Sequence, residues 1–220
     1  MLWKLIRCVP KKGAREAFAA SQEAWRAIRR EPGFGGQCGG WTNTEQEEAW
    51  VLGLWQDRAA QERFLEHGSH DAVVGASGQL KTLESWSADL FEQQEAMPGE
   101  HGDLKVALDL APPTALLRLA DCHVPKERQE LFRQTQTDLW LPAMAQAEGM
   151  LGGGYAWDGA ERFLVATLWR DTLAHRNYAT DHLPRVRAES EQRGAYPEQL
   201  TGLQIPLETR WMVHGKRLSG

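Results

Sequence analysis

Gly33-Phe34-Gly35-Gly36-Gln37-Cys38-Gly39-Gly40-Trp41 decides how this chain is read, because it returns as Gly149-Met150-Leu151-Gly152-Gly153-Gly154-Tyr155-Ala156-Trp157. Each copy follows a helix-like segment and ends on a tryptophan. Each is followed by an apolar strand closing on Leu-Trp-x-Asp, first Leu54-Trp55-Gln56-Asp57 and then Leu168-Trp169-Arg170-Asp171. Two glycine-rich strands with matched neighbours make a repeated unit, and a repeat fixes the architecture before any local detail.

Upstream of the first glycine run, residues 2–9 alternate loosely, as a half-buried strand does. Residues 14–30 place Ala14, Phe18, Ser21, Trp25 and Ile28 at helical spacing, and Glu31-Pro32-Gly33 ends that helix. Downstream, a polar turn over 42–47 leads to a strand over 49–56, and Asp57 caps a short helix through Glu66. A loop then holds His67, His70 and Asp71, and residues 80–91 make a last strand. The order β-α-β-β-α-β is that of a ferredoxin-like unit. Residues 97–102 have linker composition, and Leu104, Val106, Leu108 and Leu110 alternate with polar or small residues, which predicts an extra strand. From Leu116 the pattern restarts at an offset of 114 to 116 residues: Cys8 is echoed by Cys122, Gln22 by Gln136, Trp25 by Trp140, Phe64 by Tyr178, and Trp86 is matched to Trp211. Pro142 should kink or end the second long helix. The expected division is 1–96 as a first half, 97–114 as a linker with its strand, and 115–220 as a second half.

A ferredoxin-like unit has helices on one face of its sheet and leaves the other bare, so an apolar bare face must meet another layer. The expected fold is therefore α+β: tandem duplicated ferredoxin-like (βαββαβ) units whose antiparallel sheets pack into an α/β barrel within the chain, with a cavity or cleft in each half. Pairing of two chains into a homodimer is left open. The net charge of −5 argues against a nucleic-acid partner bound through phosphates. No apolar run approaches a membrane span. Three cysteines, without metal-like spacing, fit a reducing cytoplasm. The unusual figure is ten tryptophans, which suits a small apolar or aromatic ligand.

The layout, the Gly-Phe-x-Gly-Gln-x-Gly-Gly-Trp run at 33–41 and the Leu-Trp-x-Asp strand end resemble the antibiotic biosynthesis monooxygenase-like dimeric α/β barrels, and among them the uncharacterised YdbC-like branch. The resemblance implies an enzyme that oxidises a planar aromatic or polyketide-like compound with no bound metal or flavin. Related barrels also bind or degrade haem, for which His67 or His182 would be the axial ligand. A non-catalytic ligand-binding or stress-response module is the reading from a different class.

The glycine runs match neither a phosphate loop nor a dinucleotide fingerprint, and glycines in such strands more simply relieve crowding. Trp55, Trp86, Trp169 and Trp211 are expected on strands as core or cavity wall. If Trp3 points inward, Leu5, Arg7 and Val9 follow by alternation, matched by Leu117, Leu119, Asp121 and His123. Arg7 and Asp121 then either serve a site, satisfy each other, or lie at an exposed edge. His67, His70, His175 and His182 lie near the cavity mouth in related folds and are candidates for proton transfer. No histidine pair has the partners of a zinc site, so no metal or other cofactor is expected.

Overall fold

The computed structural model describes residues 1–42 and 47–215. The turn expected over 42–47 lies largely outside the described residues. The chain forms two compact units, one of residues 1–90 with the tail from Ile205, the other of residues 91–204.

The first unit runs β1 (Leu2–Pro10), α1 (Arg15–Ser21) continued by a 3-10 helix (Gln22–Arg30), β2 (Phe34–Trp41), β3 (Ala49–Trp55), α2 (Arg58–Glu66), α3 (Ser69–Ser77), α4 (Gln79–Thr82) and the start of β4 (Leu83–Pro98). The second contains the rest of β4, α5 (Leu104–Asp109), β5 (Leu116–His123), α6 (Gln129–Thr135), α7 (Leu141–Ala145), β6 (Met150–Trp157), β7 (Arg162–Trp169), α8 (Thr172–Asp181), α9 (Leu183–Gln192) and β8 (Gln199–Pro206) up to Gln204. Strand order is β4-β1-β3-β2 in the first unit and β8-β5-β7-β6 in the second, the ferredoxin-like order twice over. Each unit adds one strand beside its glycine-rich strand: β9 (Val213–His214) beside β2, and residues 92–98 of β4 beside β6. The expected pair of ferredoxin-like halves in an α+β fold is what the chain forms.

The repeated motifs act locally, in the same way in both units. Asp57 and Asp171 cap α2 and α8, accepting the amides of Ala60 and Ala174 at 2.7 and 2.8 Å. Gly33 and Gly149 both stand at φ +79°, and a Cβ there would sit 2.5 and 2.6 Å from the Cβ of Ala60 and Ala174. The glycine that opens each strand thus turns the chain into the left-handed region and lets the capped helix lie against it. Only a residue without a side chain meets both demands.

Several elements differ from the expectation. Residues 104–109 form a helix, not a strand. Asp103 accepts the Val106 amide at 2.9 Å, and the helix buries Leu104, Ala107 and Leu108, the i, i+3, i+4 set that competes with the alternating pattern. His70 and Asp71 lie on α3 rather than in a loop. Pro142 stands in the first turn of α7, directly after a π-helical turn at Gln136–Trp140. Lacking an N–H, Pro142 cannot complete a regular ladder there, so the expected interruption appears as a change of helical pitch. Trp211 is not on a strand matching Trp86. It lies in a 3-10 turn (Thr209–Trp211), fully buried, and its ring packs edge-on against Phe18 and Trp41 at 5.6 and 5.2 Å. The tail that carries it therefore completes the core of the first unit.

Candidate functional site

Alternation on the first strand of each unit sets two faces. On β1, Leu2, Lys4, Ile6 and Cys8 turn toward the helices, while Trp3, Leu5, Arg7 and Val9 turn away. On β5 the helix side has Leu116, Arg118, Ala120 and Cys122, and the other side Leu117, Leu119, Asp121 and His123. Each unit has a cavity between its sheet and its own helices. The cavity of the second unit, about 130 Å³, is floored by Arg118, Ala120 and Cys122 with Val165, Thr167 and Trp169, and roofed by Phe132, Gln136, Trp140, His175, Tyr178 and neighbours. That of the first, about 170 Å³, is floored by Lys4, Ile6, Cys8, Gly53 and Trp55 and walled by Trp25, Phe64, His70 and Trp86 among others. Either volume is close to the ~150 Å³ that holds a single benzene ring.

The residues singled out from the sequence are distributed as follows. Trp55 and Trp86 line the first cavity, Trp86 being 57 % exposed at its rim, and Trp169 lines the second. Trp3 is fully buried on the face of β1 opposite to Lys4 and lines neither cavity, and Trp211 belongs to the core already described. Arg7 is paired with Glu48, which also accepts the Trp50 indole N–H at 3.2 Å. Asp121 is held by Arg162 at 2.7 Å. Each charge is met inside its own unit. His123 pairs with Glu161 at 3.4 Å, and His67 is exposed at the end of α2. His182 stacks on Tyr178 at 6.0 Å and borders a separate polar recess. His70 faces the first cavity, with Nδ1 3.0 Å from Asp71. The cysteines are free and buried, and burial pushes each thiol up to about 12, so they pack rather than react. Among the described residues, no three His, Cys, Asp or Glu side chains converge as metal ligands would, and no helix is long and apolar enough to cross a membrane.

The charged side chains lining the floors of the two cavities, which the sequence reading missed, are Arg118 and Lys4. Arg118 has no ion pair among the described residues; its one hydrogen bond there donates from Nη1 to the Leu203 carbonyl at 3.4 Å. Among the described residues no carboxylate lines its cavity. Burial lowers its pKa from the ordinary value, the mark of a charge held without compensation. Around it the Tyr178 hydroxyl and Gln136 Oε1 are buried with no hydrogen-bond partner among the described residues. Burial pushes the Tyr178 phenol up to about 12, so it remains a donor. His175 is buried edge-on against Trp169 at 5.3 Å, and burial, helped by the Arg118 charge, drops its pKa to about 4. The cavity thus offers a cation, a phenol and a neutral imidazole between indoles, the complement of a flat ring bearing an anionic oxygen. The signal was present: Lys4 and Arg118 are cations at one register of the repeat, whereas Arg7 and Asp121 are not alike.

His175 also ties stability to pH. Its folded pKa lies below the unfolded value, so its contribution is complete above about pH 6.5 and is lost as pH falls toward 4. Gln61 occupies the matching position of the first unit. His175→Gln should therefore flatten the fall of the unfolding free energy between pH 7 and 4, measured by urea denaturation, by up to roughly 3 kcal/mol relative to the parent.

A family model described as a domain of unknown function, DUF4937, matches residues 2–91. The uncharacterised protein YdbC of Bacillus subtilis (strain 168) is 31% identical over 97 residues, which are 43% of this chain and 81% of YdbC. Among solved structures, a monooxygenase candidate from Lactobacillus acidophilus NCFM superposes with a TM-score of 0.70 at 13% identity, over 97% of this chain and 95% of that one. Another from Fusobacterium nucleatum gives 0.75 at 10% identity, over 97% and 94%. An anthrone oxidase-like protein gives 0.64 at 10% identity, over 100% and 95%. At such identities these structures speak for the fold, while the YdbC match speaks for descent: the chain belongs to the YdbC family, that of the DUF4937 domain.

Proposed function

We propose that this protein binds a small planar aromatic compound with an ionisable oxygen in the cavity of its second unit, and that it oxidises that compound with molecular oxygen. The observation that carries the reading is Arg118, an uncompensated guanidinium inside an indole-walled cavity. A quinol fits. Its oxyanion would lie against Arg118 and Tyr178, its ring between Trp140 and Trp169, and its proton would pass to neutral His175. Hydroquinone and molecular oxygen then give a hydroxyquinone and water, one oxygen atom entering the ring. The likeness to monooxygenase candidates and to an anthrone oxidase-like protein supports oxygen chemistry, and the cavity volume favours one ring over three.

The burial that keeps His175 neutral also makes it a weak base. That favours the second reading, a ligand-binding module without turnover. Haem has less behind it: His67 borders neither cavity, and His182 faces a polar recess. Titration with hydroquinone, read by tryptophan fluorescence and an oxygen electrode, separates these readings. Quenching with oxygen uptake supports the enzyme, quenching alone supports the module, and neither removes the proposed site.

A further inference from the structure

We propose that Lys4 is a covalent capture site for small aromatic aldehydes, which enter the cavity of the first unit and form an imine with its amine. This site stands apart from that of Arg118, in a different unit and with a different chemistry. Lys4 sits where Arg118 sits in the repeat, on the helix-facing side of the first strand, but two polar neighbours of Arg118 have apolar or absent side chains at the matching positions. Phe64 replaces Tyr178 and Gly53 replaces Thr167. No hydrogen bond or ion pair reaches its amine among the described residues. Trp25, Ile28, Phe34, Trp55 and Phe64 surround it with apolar surface.

An ammonium held this way lacks what would stabilise its charge, and burial lowers its pKa. The other charged or titratable side chains on the cavity wall are Cys8, whose burial-raised pKa keeps it a thiol, His70 and Asp71, the last two joined at 3.0 Å. A free amine is the nucleophile that carbonyl compounds require, and a flat ring fits between the indoles. The step balances as a condensation: one aldehyde and the unprotonated primary amine of Lys4 give one imine, with a carbon–nitrogen double bond to Nζ, and one molecule of water. The nitrogen lone pair forms the bond to the carbonyl carbon, and both amine hydrogens leave with the former carbonyl oxygen as that water. His70, on the wall of the same cavity, would move the proton that departs with the carbinolamine hydroxyl.

The test treats the full chain at neutral pH with benzaldehyde and sodium cyanoborohydride, which fixes any imine as a benzylamine, followed by peptide mapping. Lys4 is expected to be labelled at least about tenfold faster than the exposed Lys11, Lys12, Lys81 and Lys126, in keeping with a reactive lysine half-buried in an apolar cavity. Lys4→Arg should abolish that fast label, whereas Arg118→Met should leave it intact, so a failure of the quinol reading does not touch this one. Label spread over the other lysines with Lys4 unmodified overturns the proposal, and so does equally fast labelling of the Lys4→Arg chain. Mapping of the parent protein alone decides the matter if that variant fails to fold.

Discussion

Arg118→Met should make the protein more stable and unable to bind hydroquinone. The two effects share one cause. The guanidinium stands in a cavity lined by Trp140, Trp169, Tyr178 and other apolar walls, with a single carbonyl as partner among the described residues. Methionine fills similar space without the desolvated charge, so the folded state should gain on the order of 1 kcal/mol. Binding should fall by about 100-fold or more, since removal of one partner from a desolvated charged contact costs about 2–5 kcal/mol. Opposite movements of Tm and affinity identify a residue kept for its ligand rather than for the fold. If Arg118→Met loses stability and leaves binding unchanged, the guanidinium is a structural group and the assigned site is wrong.

Gly149→Ala should destabilise the second unit by about 2–4 kcal/mol, combining a left-handed backbone with an overpacked contact. The added methyl would lie 2.6 Å from the Ala174 Cβ. Gly159→Ala separates the two costs: its φ is also left-handed, at +90°, but no atom lies within 4 Å of the new methyl, so only the backbone part, roughly 1–2 kcal/mol, should appear. Ala174→Gly in the Gly149→Ala background should recover the steric part, less about 1 kcal/mol for glycine in a helix. Chemical denaturation of these variants beside the parent measures each part directly. Equal losses at 149 and 159 would dispose of the helix-contact explanation.

What could be read from the sequence was whatever the repeat states twice. The glycine runs, the Leu-Trp-x-Asp strand ends, the caps at Asp57 and Asp171 and the ferredoxin-like order are all local signals reinforced by duplication. Residues 104–109 lack a second copy, and there alternation could not be told from helical spacing until burial of Ala107 decided it. Matching Trp86 to Trp211 failed for a related reason: Trp211 lies beyond the repeat, in the tail. The site was less legible. Both faces of β1 and β5 carry buried leucines, so periodicity named the faces without saying which bordered a cavity. The aromatic residues Trp3 and Trp55 look equivalent in the chain, yet only the second borders a cavity. Arg118 could have been found by asking which charges the repeat keeps at the same register.

The return of the tail has a consequence for how the protein is made. The second unit is one continuous stretch, complete once Gln204 has left the ribosome, while the first waits for Ile205 onward. At ~5–20 residues per second, many seconds separate synthesis of Leu90 from that of Trp211. During that interval Phe18 and Trp41 lack the indole that closes over them, and β2 lacks its outer neighbour. The half that is translated first is therefore the last to mature, and a nascent chain stalled between the two units would present an unfinished apolar surface to the cell's chaperones.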